Sequence, residues 1–228
     1  MFYKDSQQVY RVPELDALDW LVHGFGTRLS DIPARFAGLA TLKQVHSANC
    51  LAAGGRAGVI GEGDALLENA PGAVVAVKTA DCVPILLVDQ ERRAVAAVHA
   101  GWRGTAAGIA ARAIEAMRER FGTRPADLHA AIGPGIGVCC YEVGPEVAAL
   151  FGGQGREHID LAGALQRQLA EAGVTPARIY ASNLCTRCRP DEFHSFRRDG
   201  HAAGRLFSFA GVVSATPGFR NPGFPSTC

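Results

Sequence analysis

Apolar residues fall in short blocks separated by glycine, proline and charged residues, and the spacing inside the blocks is of two kinds. Residues 21–25, 39–45, 74–77, 83–88 and 94–98 are apolar and largely β-prone without helical periodicity, and read as strands. The segment 105–121 differs. Ile109, Ala113, Met117 and Phe121 recur at four-residue steps and form one face of a helix, with Arg112, Glu115, Glu119 and Arg120 around the rest. Gly122 and Pro125 stop it. A strand is expected over 128–132 and a helix over 145–151, with Pro145 in its first turn. A second helix is expected over 161–172, ending before Gly173. Strands near 179–181, 193–196 and 206–213 complete the pattern. Several strands follow one another without a helix between them, which predicts an α+β fold with antiparallel pairing. Glycine-rich 54–58 and 152–155 read as loops. From Thr216 onward, Pro217, Pro222 and Pro225 among glycines read as a tail or extended arm. No repeat, heptad or compositional break divides residues 1–228, so one domain is expected, with its core over about 20–213.

Composition narrows this picture mainly by exclusion. The chain is 48% apolar and 20% charged, ordinary values for a globular domain, so the function must be sought in particular residues. A net charge of +1 counts against a general attraction to nucleic acid or membrane surfaces. No apolar run approaches the roughly 20 residues of a membrane span. Residues 1–8 lack the apolar stretch of a signal peptide, so a cytoplasmic location is expected. Seven cysteines, an odd number, favour free thiols, metal ligands or catalysis over a disulfide framework.

The chemistry concentrates at strand ends. In Ala97-Val98-His99-Ala100-Gly101-Trp102-Arg103-Gly104 a short apolar strand delivers a histidine, and the chain then turns past an aromatic and an arginine. His46 and Cys82 also stand at or near the ends of expected strands. Two imidazoles and a thiolate make a three-ligand set for zinc that leaves the fourth tetrahedral position open, as a catalytic site requires. Ligand softness also admits copper. The other readings are a buried structural Cys82 with histidines at strand ends, or a metal-free pair with Cys82 as nucleophile and His99 as base.

These blocks carry a resemblance. His23-Gly24-Phe25-Gly26-Thr27-Arg28, Leu42-Lys43-Gln44-Val45-His46, Gly63-Asp64-Ala65, Thr79-Ala80-Asp81-Cys82-Val83-Pro84 and the run through Gly104 are similar to the YfiH/laccase-domain family. That family is also described as multicopper polyphenol oxidoreductases or purine nucleoside phosphorylases. The stretch 131–144, Asn183-Leu184-Cys185-Thr186 and Ser195-Phe196-Arg197-Arg198-Asp199-Gly200 continue the match in family order, from Trp20 to about Val213. Val138, where proline is usual, is a small departure.

The resemblance implies a single layered α/β/β/α-type sandwich with mixed sheets, similar to a toxin deamidase fold. It implies zinc held by His46, Cys82 and His99, phosphorolysis of adenosine, inosine, guanosine and methylthioadenosine, and deamination of adenosine. It also leaves open a copper-dependent laccase, an enzyme editing peptidoglycan precursors, and, outside catalysis, a nucleotide- or partner-binding protein. Within that frame Arg103 and Arg28 are the expected phosphate anchors, because a guanidinium fork matches phosphate, with Lys43 as a point-charge alternative. Asp81 is a candidate acid or base, or else a turn residue supporting Cys82. Gln44 is read either as contacting a base edge or as satisfying local backbone. Trp102 is read either as stacking on a purine or as core. Cys185-Thr186-Arg187-Cys188 lacks a second ligand pair at similar spacing, and the adjacent Cys139 and Cys140 look like poor tetrahedral partners for it. Glycine-rich 133–137 lacks the residues of a phosphate loop and reads as a turn bringing backbone near the site. Arg197-Arg198 reads as a solvated turn.

Overall fold

The computed structural model describes residues 1–213, so the proline-rich segment from Thr216 lies outside the described residues. The first half runs β1 (Tyr3–Lys4), β2 (Val9–Arg11), α1 (Pro13–Asp16), β3 (Leu21–Gly26), α2 (Ile32–Arg35), β4 (Leu39–Lys43), β5 (Cys50–Ala52), β6 (Gly58–Glu62), β7 (Ala65–Glu68), β8 (Val74–Thr79), β9 (Val83–Asp89) and β10 (Ala94–Ala100). The second half runs α3 (Trp102–Ala106), α4 (Ile109–Phe121), β11 (Leu128–Ile132), β12 (Glu142–Val143), α5 (Pro145–Ala148), β13 (Glu157–His158), α6 (Leu161–Glu171), β14 (Ile179–Ala181), α7 (Phe196–Asp199) and β15 (Leu206–Val212).

The strands form two mixed sheets and a small β12–β13 ribbon. One sheet has the order β1-β2-β3-β15-β8-β4-β6 and the other β14-β11-β9-β10-β7-β5. Pairing is mostly antiparallel, with parallel neighbours at β4–β6, β4–β8, β5–β7 and β11–β14. The sheets pack face to face over Phe25, Val77, Leu86, Val95 and Ala210. Helices α4 and α6 cover the other face of the six-stranded sheet, where Ile85 and Val98 share a cluster with Ile109, Met117 and Leu165. Both faces of β9 and β10 are therefore buried, which is why their sequences are continuous apolar runs without alternation. The outer face of the seven-stranded sheet is closed by Ile32 of the four-residue α2 over Val22, Ala76 and Phe209. The second helical layer of the expected α/β/β/α sandwich is thus much the thinner of the two.

Three expectations change. The helix expected over 105–121 is two helices, because Gly108 takes a left-handed φ of 74° between α3 and α4. No strand forms at 193–196. Phe193 is buried, and Ser195 caps the short α7 by accepting the Arg198 N–H at 3.2 Å. The short strands β2, β5, β6 and β7 carry too few apolar positions to stand out. In β7 the buried Glu68 interrupts the apolar signal, and its carboxylate accepts the N–H groups of Gly55, Asn69 and Ala70.

His23, in β3, is 1% exposed and its Nε2 accepts the Val12 N–H at 3.1 Å, so the ring is neutral with its proton on Nδ1. Burial, reinforced by the Arg11 guanidinium, lowers its pKa from 6.5 to about 3. As pH falls, the unfolded chain therefore takes up this proton first. The stabilisation is complete above pH ~6.5 and is lost as pH drops toward 3, about 2 kcal/mol of it by pH 5. NMR titration should show the His23 ring neutral to about pH 4 while unfolding midpoints fall over the same range. A ring titrating near 6.5 would remove the effect.

Candidate metal centre

The two sheets meet at an edge where three strand ends converge. His46 lies just beyond β4 of the seven-stranded sheet, Cys82 just before β9, and His99 at the end of β10. Their ligand atoms lie within 4.8 Å of one another, and the two imidazole rings stand 4.8 Å apart between centroids at 69°. His99 is buried, Cys82 half-buried and His46 exposed, so the group opens to one side.

Asp64, fully buried in front of β7, organises this edge. Its main-chain carbonyl accepts the His99 N–H at 2.7 Å, extending the β7–β10 ladder by one rung. Its Oδ1 lies 2.8 Å from His99 Nδ1 and accepts the His46 N–H at 3.0 Å. Its Oδ2 accepts the Ser47 N–H at 2.6 Å and the Ser47 hydroxyl at 2.8 Å. An ionised carboxylate only accepts, so His99 Nδ1 carries a proton and it is Nε2 that is turned toward Cys82, where loss of its own proton would make it a ligand. Burial raises the Asp64 pKa, but the bonds from His99 and Ser47 outweigh it and hold the carboxyl at about 2.

Two residues here have left-handed backbone, His46 at φ 60° and Asp81 at φ 82°. Neither is glycine, so each conformation costs about 1–2 kcal/mol and needs support from its surroundings. The Asp64 carboxylate supplies it for His46. For Asp81, the carbonyl accepts the Ile136 N–H at 2.8 Å. Gly101 caps α3 where a Cβ would lie 2.9 Å from Cys82 Sγ and 3.1 Å from His46 Nδ1, so the ligand edge leaves room only for a hydrogen there.

Without metal, Cys82 and His99 have displaced proton affinities. Burial opposes ionisation of the Cys82 thiol, but hydrogen bonds with His46 and His99 outweigh it and lower it to about 7. Burial likewise disfavours the His99 imidazolium, yet Asp64 and Cys82 raise it to about 9. The donor set fits a metal: two nitrogens and one readily ionised sulfur, one histidine fixed by a carboxylate behind it, and an open side.

The group lies in a cavity of about 680 Å³. Lys43, Lys78, Arg103, Arg197 and Arg205 face it, against one carboxylate, Asp81. Trp102, Tyr141 and Phe196 add aromatic surface, and the Arg103 guanidinium stacks 4.1 Å from the Trp102 ring.

The structure brings His46, Cys82, His99, Lys43, Gln44, Asp81 and Arg103 to this one cavity, and redistributes several roles. Asp81 is engaged as a turn residue beside Cys82 would be: its oxygens accept from the Thr186 hydroxyl at 2.6 Å, the Ser195 hydroxyl at 3.0 Å and the Arg197 N–H at 2.6 Å. It positions the turn into Cys82. Gln44 satisfies local backbone, donating to the Lys78 carbonyl at 2.7 Å and accepting the Lys78 N–H at 2.8 Å. Arg28 is outside the cavity wall, because its backbone is tied to the Glu192 carbonyl and its guanidinium donates to the Pro190 carbonyl at 2.6 Å. Lys43 is exposed and paired with Glu62 at 2.6 Å. Trp102 is half-buried at the wall, and Arg197 faces the cavity although its sequence reads as a solvated turn. Glycine-rich 133–137 runs beside the start of β9, where Gly133 donates to the Pro84 carbonyl at 2.9 Å. Sequence reasoning assigned no role to Asp64, Lys78, Tyr141 or Arg205. Asp64 and Tyr141 had a signal, as members of the Gly63-Asp64-Ala65 and 131–144 blocks.

Comparison with known proteins agrees on one family. Residues 27–213 match the family model described as multi-copper polyphenol oxidoreductase laccase. A protein of Deinococcus radiodurans named purine nucleoside phosphorylase is 41% identical over 183 residues, covering 76% of this chain and 70% of that protein. A protein of an unknown prokaryotic organism, named adenosine deaminase RL5, is 42% identical over 159 residues, covering 64% of this chain and 60% of that one. The crystal structure of YlmD from Geobacillus stearothermophilus superposes with a TM-score of 0.86 at 27% identity, covering 93% of this chain and 99% of that one. Among the described residues no helix is long and apolar enough to cross a membrane.

Proposed function

This chain belongs to the multi-copper polyphenol oxidoreductase laccase family, and we propose that within it the protein is a zinc-dependent purine nucleoside phosphorylase that also deaminates adenosine. The charge of the cavity wall carries this reading. Lys78, Arg103, Arg197 and Arg205, together with Lys43 in its pair with Glu62, face a single carboxylate whose oxygens are already engaged. Such a wall is suited to a phosphate co-substrate, and a neutral phenol would make no use of it. Adenosine, inosine, guanosine and methylthioadenosine share a flat base that can lie against Trp102, Tyr141 or Phe196.

His46, Cys82 and His99 would hold the metal, with Asp64 fixing the His99 tautomer. When bound, zinc would supply Lewis acidity; copper is the alternative ion for this donor set. In phosphorolysis a phosphate oxygen bonds to the anomeric carbon as the bond from that carbon to the base breaks, and the base leaves with the electron pair. Arg103 and Lys78 are the proposed phosphate anchors, with Arg197 and Arg205 at the same wall. Deamination is the second reading, favoured by the relative named adenosine deaminase, and would use the same base pocket.

Incubating metal-defined protein with adenosine, with and without phosphate, separates the two. Adenine and ribose 1-phosphate that appear only with phosphate are the expected products. Inosine formed regardless of phosphate marks deamination. Neither product, from protein carrying its metal, would overturn both and favour a binding or precursor-editing role.

A further inference from the structure

A second group of thiols stands apart from Cys82. Cys139 and Cys140 lie in the loop after β11, and Cys185 and Cys188 in the loop after β14. Strands β11 and β14 are parallel neighbours, so both loops leave the sheet at the same end. A bridge between Gly135 and Cys185 zips them together, with the Thr186 N–H donating to the Gly135 carbonyl at 3.0 Å. Cysteines 139 and 140, unpromising as neighbours in sequence, are wound into a turn in which Cys140 and Tyr141 both donate their N–H to the Gly137 carbonyl. All four sulfurs lie within 4.8 Å of one another, with Cys139 Sγ 3.6 Å and Cys140 Sγ 3.3 Å from Cys188 Sγ.

We propose that Cys139, Cys140, Cys185 and Cys188 hold a second, structural zinc ion as a closed tetrathiolate site. Zinc–sulfur bonds of about 2.3 Å in a tetrahedron place the sulfurs roughly 3.8 Å apart, close to the spacing already present. Four soft donors without a carboxylate select against magnesium and calcium. The Gly137 N–H donates to Cys185 Sγ at 3.3 Å, a bond that favours thiolate. Arg187, between the two cysteines of its loop, places positive charge beside a complex of net charge about −2, and Arg198 holds that loop by donating to the Thr186 and Arg187 carbonyls. Cys139 and Cys188 are exposed, and exposed free thiols are open to oxidation, which bound metal prevents.

The site would brace the cavity. Thr186, inside the Cys185–Cys188 loop, donates to Asp81 beside Cys82, and Tyr141 of the cavity wall follows Cys140 directly. The assignment does not depend on which reaction the cavity performs.

Metal analysis of the full chain purified under reducing conditions tests it. Cys82→Ala protein, with the first centre disabled, should retain about one zinc per chain. Its cobalt-exchanged form should show the intense sulfur-to-cobalt charge-transfer and tetrahedral ligand-field bands of four thiolates. Adding Cys185→Ser and Cys188→Ser should abolish both. Cys82→Ala protein with no zinc after loading, with iron in its place, or with cobalt bands showing fewer sulfurs would overturn the proposal. So would thiol counting that finds Cys188 in a disulfide in the freshly isolated native protein. These readouts need only the Cys82→Ala or unaltered chain, so misfolding of the triple variant leaves the test intact.

Discussion

Cys82→Ala should remove one equivalent of metal from the protein and lower kcat/KM for nucleosides by at least ~10³-fold. Three ligands are the minimum for a catalytic zinc centre, and Cys82 is the only anionic donor among them. A bound metal contributes several kcal/mol to the transition state, and about 4 kcal/mol corresponds to a thousandfold in rate. The substitution also removes one of the two groups that raise the His99 pKa. Metal analysis and nucleoside turnover on the same preparation decide the matter. Unchanged metal with lost turnover would point instead to Cys82 as a nucleophile paired with His99. Unchanged turnover would remove Cys82 from the chemistry.

The second large effect is expected at Asp64. Asp64→Ala leaves the His46 and Ser47 N–H groups, the Ser47 hydroxyl and His99 Nδ1 without their common acceptor in a fully buried place. Removing one member of a buried, hydrogen-bonded charge network costs about 3–5 kcal/mol. The left-handed His46 backbone also loses its support. Asp64→Asn keeps the volume but turns an amide N–H₂ toward donors, so it should destabilise less and still weaken metal binding by roughly 10–100-fold. Denaturant unfolding and competition with a chelator measure the two effects separately. An Asn variant with unaltered metal affinity and stability would show that Asp64 does not hold the ligands in place.

How much of this was legible in the sequence follows from physics that differs between residues. Strands β3, β8, β9, β10 and β11 and the helix α4 were readable because their apolar runs are long and dictated by a core. The meeting of His46, Cys82 and His99 at one edge was foreseeable because each follows or precedes such a run. Asp64 was not, since its importance lies in five contacts with residues 45, 46, 47 and 99, none of which periodicity can reveal. Asp81 and Gln44 each kept two readings, chemical or supporting, for the complementary reason. A polar side chain beside a ligand looks chemical until its partners are seen, and both are fully occupied in holding main chain or neighbouring hydroxyls. Cys139 and Cys140 looked like poor partners for Cys185 and Cys188 because the two pairs meet only through the parallel placement of β11 and β14.

His46 lies where the chain crosses from β4 of one sheet to β5 of the other, Cys82 where it crosses from β8 to β9, and His99 on β10 of the second sheet. An ion gripped by all three would rivet the two layers at their open edge. Prying the layers apart there would then require breaking a coordination bond, so the lifetime of the folded state and the lifetime of the bound ion would become a single clock. Stripping the ion should accordingly speed global unfolding more than it slows refolding, since the rivet can close only after both layers are in place.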